Sequence, residues 1–586
     1  MNPRLRLNSE NLVVLRDDRS GHWLRFQNPV EVVAAGCRED VLPSLRRIEA
    51  AVENRRLHAA GWIAYEAAPA FDPALAVHAP GGLPLLWFGL YETPESCELP
   101  PADTPPSAGW QSDLPPGAYG RAFAEIKHHI REGNTYQVNF THRLIAENFG
   151  HDAWQTFLAL VHAQRAPFGA YVSTGPWRIC SASPELFLAR HGTRLESRPM
   201  KGTAPRGLSA AQDRVQAETL RASEKDRAEN LMIVDMVRND LGRVARPGSV
   251  QVAETCRLEK FPTVWQLTST VAAESDAALA DILAATFPPA SITGAPKHRT
   301  MNIIAGLEAS PRQVYTGAIG FLAPDRRAQF NVAIRTLLLD VRTRRAEYGT
   351  GGGIVWDSDS AAEQAECVDK ARILSVPPRP PFSLLETMLW TPADGIRLLE
   401  FHLARLRGSA DYFDFPFEES RLRAEIAART AGLPRSPQRL RLLLAEDGGI
   451  EIQSAPFVPA APFFRVALAR RPVDRTDVFL FHKTTNRRIY DTAKADFPDH
   501  DDVILFNADG EVTESTIANL AVEIDGILCT PPVECGLLAG TARAELLARG
   551  VLHEKRISRA DYSATPRRFL FNSIRGLFPV TLDPPT

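Results

Sequence analysis

Apolar residues recur along this chain in two rhythms, and each predicts its own elements. A period near 3.6 runs through residues 122–132, where Phe123, Ile126 and Ile130 share one face and Gly133 stands where a helix would end. The same period predicts two consecutive helices over 209–223 and 224–241, another beginning at Ser360, and one holding Phe401 to Arg407. Alternation, or an unbroken apolar run, predicts strands at 61–68, 85–91, 136–141, 170–173, 179–188, 195–198, 331–339 and 354–356. In 136–141 the alternation puts Gln137 and Asn139 on the face opposite the aromatics. Asp509 and Gly510 between two such runs predict a hairpin turn, whereas 287–297 is rich in turn formers and reads as no core element.

Prolines divide the pattern. Pro100, Pro101, Pro105, Pro106, Pro115 and Pro116 predict a long exposed loop. Pro377, Pro378, Pro380 and Pro381 fit neither helix nor central strand and predict a stiff spacer. The chain therefore reads as a domain over 1–376, a linker over 377–381 and a second domain over 382–586. A length of 586 residues agrees, since one hydrophobic core rarely serves so many. Composition adds exclusions: 44% hydrophobic and 23% charged residues with a net charge of −3 give no basic footprint for nucleic acid. No apolar run reaches the roughly 18 residues that cross a bilayer, and charges interrupt the first 18 residues where a secretion signal would be apolar. The expected location is the cytosol. Seven scattered cysteines show no CxxC pair and read as reduced thiols.

Several positions carry candidate chemistry. Lys201 lies between Arg198 and Arg206, and cations held nearby would favour its neutral, nucleophilic amine, although a solvated basic loop has the same composition. Ser223 and Asp226 are spaced as an N-cap with its capping acid, so Asp226 is explained by the helix; Glu229, one turn on, is not. Ser360 and Glu363 repeat that spacing, with Glu366 and then Lys370 following on the same face. Spacing alone is met by two solvated helix faces as well as by two carboxylates holding Mg²⁺. Arg335 is the one charge in an apolar run and needs a partner, which an anionic ligand would supply. The glycines at 349 and 351–353 let backbone approach something small.

Seven stretches in order, SASPELFL, RPMKGTAPRG, KDRAENLMIVDMVRNDLGRV, FPPASITGAPK, VYTGAIGF, AIRTLLL and GTGGGIVWDSDSAAEQAEC, make residues 115–376 resemble the chorismate-utilising enzymes. The resemblance implies an α+β fold, a sandwich of antiparallel sheets with surrounding helices and the site between the sheets. It also implies Mg²⁺ ligands at Glu229 and Glu366, and carboxylate contacts from Tyr315, Arg335, Lys370 and the backbone at Gly351 and Gly352. Thr293 and Gly294 would line the pocket. Within that family, lysine at position 201 and glutamine at 137 resemble the enzymes that aminate chorismate at C4. The implied chemistry is attack of Lys201 at C2 with loss of the C4 hydroxyl, then ammonia addition at C4 with release of Lys201. No glutaminase region is evident, so ammonia is expected from a separate glutamine amidotransferase or from solution.

Residues 382–586 resemble the fold-type IV pyridoxal-phosphate enzymes, an α+β class, through HKTTNRRIYD and DGEVTESTIANL, and KTTNRRIYD is similar to the aminodeoxychorismate lyase group. The resemblance implies that Lys483 forms the Schiff base with pyridoxal 5'-phosphate and moves protons. Glu514 would pair with the pyridine nitrogen, and Arg405 would grip the phosphate with the turn at Gly540, Thr541 and Ala542. Asn572, Ser573 and Arg575 resemble a substrate-carboxylate edge, and a homodimer through this domain is implied. Together the two resemblances imply synthesis of 4-aminobenzoate, a folate precursor, from chorismate. An anthranilate synthase with an appended class IV aminotransferase and a chorismate-binding subunit without catalysis remain as alternatives.

Overall fold

The computed structural model describes residues 10–102, 108–375, 379–459 and 464–583. Pro105, Pro106, Pro377 and Pro378 lie outside the described residues. Chain contacts group into two units, Met1–Pro205 with Ala217–Arg379, and Arg206–Gln216 with Pro380–Thr586.

The first unit is built on two ten-stranded antiparallel sheets. One runs from Gln137–Ala146 through Arg345–Ile354, Thr336–Asp340, Trp177–Ser183 and Phe168–Thr174 to Leu12–Arg16. The other runs from Met200–Pro205 through Val264–Glu274, Arg194–Arg198, Leu186–His191 and Arg327–Val332 to Ala318–Ala323 and His58–Ile63. Inward residues of both make one core: Val13, Ile179 and Leu338 from the first meet Trp62, Ile319 and Phe321 from the second. Trp62 and Trp87 are cross-strand partners stacked at 5.1 Å, an arrangement worth about 1 kcal/mol beyond the area it buries. The α+β expectation holds, with both sheets antiparallel.

Six local expectations change. The strand expected over 61–68 ends at Ile63 and gives way to helical turns at Tyr65–Ala67 and Ala68–Phe71. The stretch 287–297, expected to be no core element, buries Phe287, Ala290 and Ile292 in the core. The helix predicted over 122–132 begins earlier, at Ala118, because Gly117 with φ 73° turns the chain into it. The strand expected over 179–188 is two strands, Trp177–Ser183 and Leu186–His191, since Pro184 has no N–H for a ladder. The run 331–339 breaks likewise: Arg335 has φ 49°, between Arg327–Val332 and Thr336–Asp340. The glycines at 349–353 belong to the strand Arg345–Ile354 instead of preceding one at 354–356.

In the second unit a four-stranded antiparallel sheet is centred on Leu384–Thr391 and Gln438–Leu444. Its alternation is plain in QRLRLLL, where Leu440, Leu442 and Leu444 enter the core and Arg439 and Arg441 face out. A nine-stranded sheet of mixed direction holds Val512–Ser515 and Asn519–Ile524, with Asp509 and Gly510 in the turn before the former. The helices Leu399–Phe413 and Thr541–Ala548 complete this unit's site.

Candidate active sites

In the first unit a cavity of about 370 Å³ opens between the two sheets. Its floor is the pairing of Arg345–Ile354 with Gln137–Ala146, which sets Gly353 opposite Asn139 and Gly351 opposite Thr141. A Cβ on Gly351 would fall 2.3 Å from the Phe140 carbonyl oxygen, so only glycine leaves that floor open. Lys201 stands on Met200–Pro205 beside a register shift in the pairing with Val264–Glu274, next to Gly202 at φ 88°. Its ammonium end lies 2.5 Å, and the Gln137 amide nitrogen 3.1 Å, from where a Gly353 Cβ would be. Gln137 is fully buried, and among the described residues neither polar atom of its side chain has a hydrogen-bond partner. Such an amide beside Lys201 is costly unless a ligand satisfies it.

Two helices add charge. Glu224–Gly242 contributes Glu229; its cap is as expected, with Ser223 accepting from the Asp226 N–H at 3.2 Å. Ser360–Ala371 contributes Glu363, Glu366 and Lys370, but here the cap differs. Asp359, not Ser360, accepts from the Ala361 and Ala362 N–H groups. Glu363 is thereby released from capping; it takes the Ser358 hydroxyl at 2.6 Å and lines the cavity. Burial raises the pKa values of Glu229 and Glu363, and neighbouring carboxylates add to the rise. Glu366 is held low by Lys370 at 2.7 Å, whose Nζ also donates to the Gly351 carbonyl at 2.8 Å.

The other expected residues divide. Tyr315, Arg335 and Lys370 line the cavity with Gly351, and burial depresses the pKa of Arg335, whose guanidinium donates to Gln164. Among the described residues no carboxylate pairs with Arg335. Gly352 has Glu363 and Lys370 where a Cβ would point. Thr293 and Gly294 stand one layer back: the Thr293 carbonyl accepts from the Asn139 N–H at 2.8 Å, and Gly294 pairs with Val138. The arginines flanking Lys201 do not set its surroundings, because Arg198 is engaged by Asp18 and Glu196 and Arg206 by Asp213.

Sequence reasoning missed Glu185. It follows Pro184 at the break between strands, is buried, lines the cavity with Lys201, and has its pKa pushed up by burial to about 7. An acid directly after a proline inside an apolar run was the available signal.

In the second unit a cavity of about 550 Å³ holds Lys483. Its backbone is pinned, since the Leu385 N–H donates to the Lys483 carbonyl at 2.9 Å and the Thr485 N–H to Ser383 at 2.9 Å. Burial, then the Arg405 charge, pushes the Lys483 amine down to about 8. Arg405 donates through Nε and a terminal nitrogen to Glu386, at 2.9 and 2.6 Å, and His402 contacts the same carboxylate at 2.6 Å. Despite burial, Arg405 and His402 hold Glu386 down to about 2. Glu514 accepts from Tyr490 at 2.8 Å, the Leu538 N–H at 3.1 Å and Asn519 at 3.3 Å. Burial raises its pKa to about 8.

Thr541 and Ala542 begin the helix Thr541–Ala548 with Gly540 as N-cap, and all three line the cavity. Asn572, Ser573 and Arg575 line it too, the first accepting from the Ile574 and Arg575 N–H groups. An amine able to be neutral, a buried carboxyl, a braced arginine and a helix start together fit an aldehyde cofactor with a ring nitrogen and a phosphate.

Residues 10–375 match the family of chorismate binding enzymes, and residues 383–582 match amino-transferase class IV. The chain is 44% identical over 271 residues to aminodeoxychorismate synthase component 1 of Klebsiella aerogenes, covering 46% of this chain and 59% of that protein. It is 41% identical over 285 residues to anthranilate synthase component 1 1 of Haloarcula marismortui, covering 48% and 57%. The chain thus spans under two thirds of the length of these relatives. The solved structure of anthranilate synthase component I from Streptococcus pneumoniae TIGR4 agrees with a TM-score of 0.53 at 23% identity, over 64% of this chain and 95% of that one, a likeness of fold. Among the described residues no helix is long and apolar enough to cross a membrane.

Proposed function

The chain belongs to the chorismate binding enzyme family, and on that footing we propose that it makes 4-aminobenzoate in two steps, amination of chorismate at C4 and then elimination of pyruvate. The observation that carries the first step is Lys201 in one cavity with Arg335, Lys370 and Glu185. The cations receive the two carboxylates of the substrate, and the open glycine floor gives its ring backbone to lie against. Lys201 attacks C2 as the C4 hydroxyl leaves. Glu185, with a pKa near neutrality, gives that hydroxyl its proton and the group departs as water. Ammonia then adds at C4, Lys201 leaves C2 with its electron pair, and the Glu185 carboxylate takes the surplus proton from the new amine. Gln137 can accept from or donate to the incoming nucleophile with an amide that has no partner among the described residues.

Mg²⁺ fits this donor set by its chemistry. Among the described residues no three of His, Cys, Asp and Glu form a ready ligand group, but Mg²⁺ needs only one or two carboxylates with water and substrate oxygens. Glu229 and Glu366 would hold it, and Glu363, raised by burial and by Glu366, gains from a nearby cation. The ion would supply charge neutralisation at the substrate carboxylate.

For the second step Lys483 would hold pyridoxal phosphate, Glu514 would serve its ring nitrogen, and Arg405 and the Thr541 helix start would take its phosphate. The cofactor would supply an electron sink for the carbon that bears the amine. Lys483 removes the proton from that carbon, and the proton leaves with the enolpyruvyl group as pyruvate. Ammonia comes from a separate glutamine amidotransferase or from solution.

Incubating the purified chain with chorismate, Mg²⁺, pyridoxal phosphate and ammonium, and identifying the aromatic product, tests both steps. We expect 4-aminobenzoate. Anthranilate, or unchanged chorismate, would overturn the reading.

A further inference from the structure

The segment Arg206–Gln216 lies far from residues 380–586 in sequence, yet it packs with them as one unit. Arg206 and Asp213 form a buried two-pronged ion pair at 2.7 and 2.8 Å. The same guanidinium lies 4.4 Å from the centre of the Tyr412 ring and donates to the Tyr412 carbonyl at 2.9 Å. Two residues on, the Leu208 carbonyl lies 3.2 Å from His482 Nε2. A carbonyl only accepts, so a neutral His482 carries its proton on Nε2 and leaves Nδ1 to accept from Ser409 Oγ at 2.9 Å. Tyr412 and Phe413 close on the same imidazole at 4.4 and 4.8 Å between ring centres. The Leu208 side chain packs against the apolar cluster that includes Leu480, Phe481 and Tyr490, and Tyr490 is the residue that bonds Glu514.

His482 is therefore buried, gripped at both nitrogens and stacked, and the next residue is Lys483. We propose that His482 is a positioning residue for Lys483, and that Arg206–Gln216, through the Leu208 carbonyl, is a working part of the elimination site. This rests on the reading that Lys483 is the cofactor lysine. The lysine's carbonyl is pinned by Leu385 on one side, and His482 fixes the peptide on the other, so the direction of the Lys483 side chain depends on both. No residue of the segment needs to touch substrate for this to operate.

The test uses the full chain loaded with pyridoxal phosphate. His482→Phe keeps an aromatic ring and removes both hydrogen bonds, while His482→Gln keeps a donor for Leu208. Arg206→Ala loosens the segment without touching His482. With aminodeoxychorismate as substrate, His482→Phe is expected to lower kcat roughly tenfold with KM within about twofold, the cost of a misaimed group that still binds. Arg206→Ala should do the same, and His482→Gln should recover at least about a third of the lost rate. The visible band of bound cofactor and its borohydride trapping on Lys483 give a second readout, expected to shift in both low-rate variants. Wild-type kcat and an unchanged band in His482→Phe overturn the proposal, and should Arg206→Ala not fold, His482→Phe decides alone. Failure of the wild-type chain to trap cofactor on Lys483 strikes instead at the assignment of the lysine.

Discussion

Lys201 and Lys483 stand in differently built cavities. The first shares its cavity with Glu185, Glu229 and Glu366 and with Arg335 and Lys370, and the second is acted on by the cations Arg405 and Arg487 and, in the other direction, by Glu386 and Glu514. Lys483 is held near the neutral form by its own surroundings, burial first, which suits an amine that must meet an aldehyde before any substrate arrives. Around Lys201 the carboxylates and the cations Arg335 and Lys370 are laid out for charges that a ligand brings. On the proposed reading the contrast is between a lysine whose site is set in advance by fixed residues and one whose site its substrate and metal would complete.

The largest effects separate the two lysines. Lys483→Ala should cut elimination by about a thousandfold or more while chorismate is still consumed, so that the aminated intermediate accumulates in a chromatogram. Lys201→Ala should do the converse, abolishing amination while elimination from supplied aminodeoxychorismate continues. Loss of both steps in either variant would break the comparison.

Next come the buried ion clusters beside each site. Behind the first cavity Glu308 bonds Arg312 at 2.6 and 2.9 Å and Arg143 at 3.3 Å, and none of the three lines the cavity. In the second, Arg405 both lines the cavity and leans on Glu386. Glu308→Gln leaves fully buried arginine charge unpaired and should cost about 3–5 kcal/mol in urea unfolding of its unit, and Glu386→Gln, which unpairs the half-buried Arg405, should cost its unit less. Only Glu386→Gln should also weaken retention of pyridoxal phosphate; equal loss in both variants would show that Arg405 needs no brace. The pH dependence follows in sign. Glu386 has a folded pKa of about 2 against an ordinary 4.5, so its contribution is present above pH 4.5 and fades as pH falls toward 2. The span corresponds to about 3 kcal/mol.

Glu185→Gln is expected to slow amination by about a hundredfold, the usual worth of a positioned proton donor. Since the working form at the departing hydroxyl is protonated, the wild-type rate should fall as pH rises through about 7, and the variant should lose that limb. A variant that keeps the limb assigns it to another group and removes Glu185 from the chemistry.

Much of this was legible in the sequence because it lies in periodicity and long motifs. The strand at Gln137, the helices carrying Glu229 and Glu366 and the turn at Gly510 stand where the pattern put them. The misses share a physical cause, competition between tertiary contacts and local rules. Ser360 and Glu363 have the spacing of a capping box, but Asp359 takes the cap and Glu363 turns to Ser358. Arg198 and Arg206 flank Lys201 in sequence, yet the carboxylates of Asp18 and Asp213 hold them. Nothing local marks Arg206–Gln216 as part of the second unit, since Tyr412 lies 206 positions beyond Arg206 and His482 lies 274 beyond Leu208.

The smallest expected effect sets one methyl group against each site. A Cβ on Gly353 would meet Lys201 Nζ at 2.5 Å and the Gln137 amide nitrogen at 3.1 Å, and both contacts are the far ends of side chains that can move. A Cβ on Gly540 would meet Asn519 Oδ1 at 2.0 Å, and Asn519 is fixed by Glu514 and by the Leu538 carbonyl at 2.9 Å. Gly353→Ala should therefore fold normally and slow amination roughly tenfold by displacing the lysine end, with elimination unaffected. Gly540→Ala should act on the scaffold, lowering cofactor retention and stability together, because the group it strikes braces Glu514. Comparing kcat for each step with the urea midpoint of each variant distinguishes them. An amination rate unchanged in Gly353→Ala would mean that Lys201 reaches its substrate from another rotamer, and that its site adapts where that of Lys483 does not.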